Sequence, residues 1–134
     1  IDGDGEADRL IPAGIVWMQG ESDAHHTEET AAVYRANLRR MIDLMRAALR
    51  VDDVPAVIGR ISNSEDAPSN AGNSMRWAHA DVVRKAQAEF VEADGHAALV
   101  TTTDQYGYSD PWHYDSAGYL DLGERFAEAF GEIE

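Results

Sequence analysis

The chain has 134 residues, enough for one domain built on one core. It carries 25 acidic against 11 basic side chains, a net charge of -14, and its single lysine is Lys85. Such a surface repels phosphate backbones and anionic lipid, which argues against nucleic-acid and membrane partners. With no cysteine, disulfides, thiolate metal sites and a cysteine nucleophile are excluded. No apolar run approaches the roughly 20 residues of a membrane-spanning helix. The acidic start, Ile1-Asp2-Gly3-Asp4-Gly5-Glu6, has neither an initiator Met nor the pattern of a signal peptide, so the chain reads as processed or as a piece of something longer.

Residues 1–12 form a polar lead-in. Asp2, Asp4, Glu6 and Asp8 alternate, but the glycine and glutamate spacing of a calcium loop is missing. The apolar run 13–18 predicts a short buried strand that ends at Gln19-Gly20. A polar loop follows over 19–27. Thr27 then caps a helix, with Glu28 and Glu29 placed for its dipole. Tyr34, Leu38, Met41, Ile42, Met45 and Leu49 continue that helix at helical spacing to about Arg50. Residues 55–61 predict a second strand, and 62–73 a long Ser-, Asn-, Pro- and Gly-rich loop of the kind often tied to function. Met75, His79, Val82, Val83, Ala86 and Phe90 outline a second amphipathic helix, ending near Asp94-Gly95. A third strand is expected over 97–103 and an aromatic-rich loop over 104–115. Asp115 or Ser116 then caps a last helix that buries Tyr119, Leu122, Phe126 and Phe130. Strands alternating with helices imply an α/β fold with a parallel sheet covered on both faces. Ligands of such folds sit beyond the carboxyl ends of the strands. Gln19, the 62–73 loop and His113 all fall at that rim.

Two loops carry candidate chemistry. In Asp110-Pro111-Trp112-His113 the carboxylate can fold back onto the imidazole Nδ1 and leave Nε2 as a general base. The same spacing more commonly describes a turn-capping Asp beside a packed His; its place before a capped helix, at the strand-end rim, adds weight to the base. In the upstream loop, the Gln19 carboxamide can donate to an oxyanion. Gly20 permits a sharp turn and Glu21 can brace it. An ordinary glycine turn fits the same residues. His25, His26, His79 and His96 lack zinc-ligand spacing and read as surface or packed histidines, so neither a metal nor a cofactor is expected. Trp17, Trp77 and Trp112 read as core or pocket wall. No Gly-x-Ser-x-Gly occurs, and no serine stands out as a nucleophile.

The segment Gly14-Ile15-Val16-Trp17-Met18-Gln19-Gly20-Glu21-Ser22-Asp23 resembles the Trp-x-Gln-Gly-Glu segment of the sialate O-acetylesterase and acetylxylan esterase group. That group is carbohydrate esterase family six, within the SGNH (GDSL-like) hydrolases. Asp110-Pro111-Trp112-His113, with Asp115-Ser116-Ala117-Gly118-Tyr119 and Leu122-Gly123-Glu124-Arg125, resembles its closing Asp-x-x-His block. Arg84-Lys85-Ala86-Gln87 is similar to a segment on its penultimate helix. The resemblance implies a three-layer α/β/α sandwich over 1–134 and hydrolysis of O-acetyl esters on carbohydrate without a cofactor. It implies His113 as general base, Asp110 as its partner and Gln19 as the oxyanion donor, with Gly20 and Glu21 supporting. It places the nucleophilic serine in an amino-terminal Gly-Gln-Ser-Asn type block that this chain lacks. The chain then reads as a carboxy-terminal portion without its amino-terminal strand or strands, completed by a companion segment. The competing expectation is a catalytically incomplete carbohydrate-binding or interaction domain of the same fold. A flavodoxin-like nucleotide domain would need a Gly-rich phosphate loop after a strand, and none is present.

Overall fold

A computed structural model describes residues 3–63, 77–110 and 112–133. Three strands, β1 (Ile15–Trp17), β2 (Ala56–Gly59) and β3 (Ala97–Val100), pair in parallel in the order β1-β2-β3. Their side chains alternate between two cores. Ala56 and Ile58 face α3 (Tyr34–Leu49) and α4 (Ala80–Ala93), where Leu38, Ile42, Val83 and Phe90 are buried. Val57 and Val100 face α5 (Ser116–Glu132), packing with Leu122, Phe126 and Phe130. Side chains as fully enclosed as Ile42, Ile58 and Phe90 each stabilise the fold by about 1.5–3 kcal/mol relative to exposure. The result is the three-layer α/β/α arrangement expected from the sequence.

Several boundaries differ from the sequence expectation. The loop 19–27 contains a short helix, α1 (Glu21–His25), in which only Ala24 is buried. One buried residue in five leaves no hydrophobic period to read. The helix capped by Thr27, whose hydroxyl accepts the Thr30 N–H at 3.2 Å, breaks at Val33 into α2 (Glu28–Ala32) and α3. α3 ends as expected at Arg50, which takes a left-handed conformation (φ 57°). The third strand stops at Val100 rather than reaching Thr103. Residues Thr102–Gln105 form a 3-10 turn instead, and the Thr103 hydroxyl donates to Arg60 O at 2.8 Å. Asp115, not Ser116, caps α5 by accepting the Gly118 N–H at 2.8 Å. Most of the 62–73 loop, and Met75, lie outside the described residues.

The two ends of the sheet are held differently. At the amino-terminal end, Arg46 and Arg39 of α3 converge on Asp94, just before β3. At the carboxyl end, the described residues that follow the three strands gather, with Thr103 bonded to Arg60 O and Gln87 of α4 bonded to both Gln19 O and Ile61 N–H. Along its outer side β1 has no partner strand among the described residues, and Val16 is half exposed there.

Candidate active site

The loop after β3 is folded back on itself by a single bridge between Tyr108 and Tyr114. The Ser109 N–H donates to His113 O at 2.9 Å and the Asp115 N–H to Gly107 O at 2.8 Å. Tyr106, Tyr108 and Tyr119 pack their rings around Tyr114, at centroid distances of 5.2, 5.4 and 5.8 Å. Burial pushes the Tyr114 phenol above its ordinary pKa, Tyr108 adds to the rise, and hydrogen bonds with Ser62 and Thr103 partly oppose it. Those bonds moor the loop to the ends of β2 and β3. The aromatics of the 104–115 stretch therefore serve as the mounting for the residues at its tip.

At that tip, Asp110 Oδ1 accepts the backbone N–H groups of Trp112 and His113, each at 2.8 Å. Its Oδ2 lies 2.7 Å from His113 Nδ1. The His113 bond first, then the two backbone N–H groups, hold the Asp110 carboxyl down to about 2. An ionised carboxylate only accepts, so the neutral imidazole must carry its proton on Nδ1. Nε2 is then a lone-pair base, with no hydrogen-bond partner among the described residues. His113 borders a cavity of about 580 Å³ whose wall includes Met18, Glu21, Ser22, His25, Trp77, Trp112 and Tyr119.

The other loop reaches the same cavity, but not through the residue singled out for it. Met18, Glu21 and Ser22 line the wall. The Gln19 side chain turns the other way. Its Nε2 donates to Asp23 Oδ2 at 3.0 Å, and it lines a separate hollow with Trp17, Tyr34 and Met41. The structure thus brings the two loops together without bringing the Gln19 carboxamide to the His113 imidazole. Gly20 is buried with φ +152°, and a Cβ there would stand 2.8 Å from Val83 Cγ1 and 3.1 Å from Ile61 Cγ2. Gly20→Ala is therefore expected to lower stability by about 1–3 kcal/mol. A thermal melt shifted by less than a degree would show that the turn relaxes freely.

His25 and His26, read from sequence as surface residues, also line the cavity, with ring centroids 5.9 Å apart. Only the fold reveals this, because α1 swings them towards a loop far along the chain. No cluster of three or more His, Asp or Glu suited to a metal occurs among the described residues. Sequence reasoning gave Gln87 and Tyr34 no role at the site. Both are buried polar groups bonded to the carbonyl oxygen of Gln19.

The chain has a parallel α/β/α fold of SGNH-like type, with an Asp-x-x-His pair at the carboxyl rim of its sheet. The chain belongs to the family described as carbohydrate esterase, sialic acid-specific acetylesterase, whose model matches residues 6–132. Two solved structures are similar. A protein of Arabidopsis thaliana shares 24% identity at a TM-score of 0.70, over 90% of this chain and 44% of its own. A carbohydrate acetylesterase of Xanthomonas citri shares 22% at a TM-score of 0.66, over 90% of this chain and 26% of its own. The chain thus spans less than half the length of either. No curated protein matches it by sequence.

Proposed function

We propose that the intact polypeptide is a serine esterase that removes O-acetyl groups from carbohydrate, of the acetylxylan or sialate type. The serine nucleophile lies on a companion segment outside this chain. The observation that supports this most is the His113 imidazole, fixed by an ionised Asp110 and presenting a free Nε2 beside a cavity. The open side of β1 offers a companion strand a ladder to join. In the reaction, the serine oxygen attacks the acetyl carbonyl carbon while Nε2 takes its proton. The tetrahedral intermediate expels the sugar oxygen, which takes that proton back. Water then hydrolyses the acetyl-serine by the same route.

Gln19 is proposed as the oxyanion donor, and its amide can serve only by leaving Asp23. Gln19→Ala should then lower kcat by roughly 10²-fold with little change in KM. Unchanged kcat would reduce Gln19 to a turn residue. The outward-facing amide is also the one observation that favours the second reading, a binding domain with a decayed site. Labelling the intact protein with a serine-directed phosphonate separates the two. A label mapped to the companion segment supports the esterase, and no uptake supports the binding domain. A label on Ser22, the described serine on the cavity wall, would move the nucleophile into this chain.

A further inference from the structure

Gln87 is fully enclosed in α4, yet it is an amide on a helix face otherwise occupied by Val83, Ala86 and Phe90. Its Oε1 accepts the Ile61 N–H at 3.1 Å. Its Nε2 donates to Gly59 O at 3.2 Å and to Gln19 O at 3.3 Å, with the Tyr34 hydroxyl at 3.5 Å. That hydroxyl itself donates to Gln19 O at 2.6 Å. One turn back along α4, Arg84 Nη1 donates to Ile61 O at 2.7 Å, and its guanidinium pairs with Asp104 beyond β3 at 2.7 and 2.9 Å. The i, i+3 pair Arg84 and Gln87 therefore grips Ile61 through both its N–H and its C=O and joins it to the ends of β1 and β3.

A buried amide is a costly way to fill space, because each unmatched polar atom is penalised. An apolar side chain would pack at this seam without that demand. What the amide adds is a fixed distance between two strand ends. Gln19 O belongs to the turn that leads into α1 and the cavity. Ile61 precedes Ser62, a buried residue whose hydroxyl bonds Tyr114, the neighbour of His113. We infer that Gln87 is a positioning residue: acting through Gln19 O, Gly59 O and Ile61 N–H, it sets the Gln19-Gly20 turn against the loop that carries His113. The inference rests on the esterase reading above.

The test uses the intact protein with Gln87→Met, which keeps length and removes both polar atoms, and Tyr34→Phe, which removes only the hydroxyl on Gln19 O. Aryl acetate turnover is measured per phosphonate-titrated site, so that unfolded molecules do not count. Each variant should lose about tenfold in kcat per titrated site, with KM moving less than about twofold. The pH dependence should stay that of wild type, since His113 and Asp110 are untouched. If Gln87→Met does not fold, Tyr34→Phe alone decides. A lowered melting temperature with wild-type kcat per site would overturn the inference and leave Gln87 a structural residue. A wild-type protein that neither releases acetate nor takes up phosphonate would overturn the esterase reading, and this inference with it.

Discussion

Replacing His113 by Ala in the intact protein is expected to lower kcat/KM on an aryl acetate by roughly a thousandfold. The reason lies in the geometry of a single nitrogen. Asp110 is bound by three hydrogen-bond donors and held at about 2, so it is a fixed acceptor at any ordinary working pH. That fixes the tautomer and leaves Nε2 basic. His113→Ala removes the one nitrogen that Asp110 holds in this way beside the cavity. Asp110→Asn should also be severe, because an amide can donate to Nδ1 and stabilise the wrong tautomer. A depressed carboxyl contributes its stabilisation above the ordinary carboxylate range and loses it as pH falls through about 2. Asp110 should therefore stay ionised across the working range, and Asp110→Asn should lower the plateau of the rate profile. Turnover of His113→Ala within tenfold of wild type would remove the imidazole from the chemistry.

How much of this was legible beforehand depended on whether a residue's neighbours were local. The strands showed as apolar runs because both faces of a parallel sheet are covered, and the cap of α5 narrowed to Asp115 or Ser116 because a cap's partner, here Gly118, lies only a few residues on. The Asp110–His113 bond was legible for the same reason. Gln19 was not. Its identity pointed at an oxyanion, but where its side chain points depends on the +152° turn at Gly20 and on Asp23 four residues on. Gln87 carried no role that spacing could show, since the carbonyls it serves belong to residues 28 and 68 positions away. His25 and His26 became cavity residues only once α1 existed. Local chemistry could be read from spacing; convergence of distant loops could not.

The largest loss of stability should follow Asp94→Ala, at about 3–5 kcal/mol. Arg46 is nearly enclosed, with side-chain exposure of 8% against 3% for Asp94. Its guanidinium meets the carboxylate through two bonds, at 2.8 and 3.1 Å, and donates further to Val54 O and His96 O. Arg39 pairs with the same carboxylate. Truncating the acid leaves a buried cation without a counter-charge, which is worse than never having had the pair. By itself burial would raise the Asp94 pKa. Together the Arg46 hydrogen bond, the His96 N–H, the Arg39 hydrogen bond and the Arg46 charge outweigh it and hold the carboxyl at about 2. The sign follows from that depression. The stabilisation, about 2 kcal/mol, is complete above the unfolded carboxylate value near 4 and disappears as pH falls from about 4 to 2. Wild type should therefore lose stability across that window more steeply than Asp94→Asn, which has no such proton to gain. Because Asp94 sits at the amino-terminal end of the sheet, opposite His113, the folded fraction of either variant should retain its turnover per titrated site. Denaturant unfolding of the intact protein at pH 7 and at pH 3 measures both effects. An Asp94→Ala loss below 1 kcal/mol would mean that solvent reaches Arg46 far more freely than its enclosure implies.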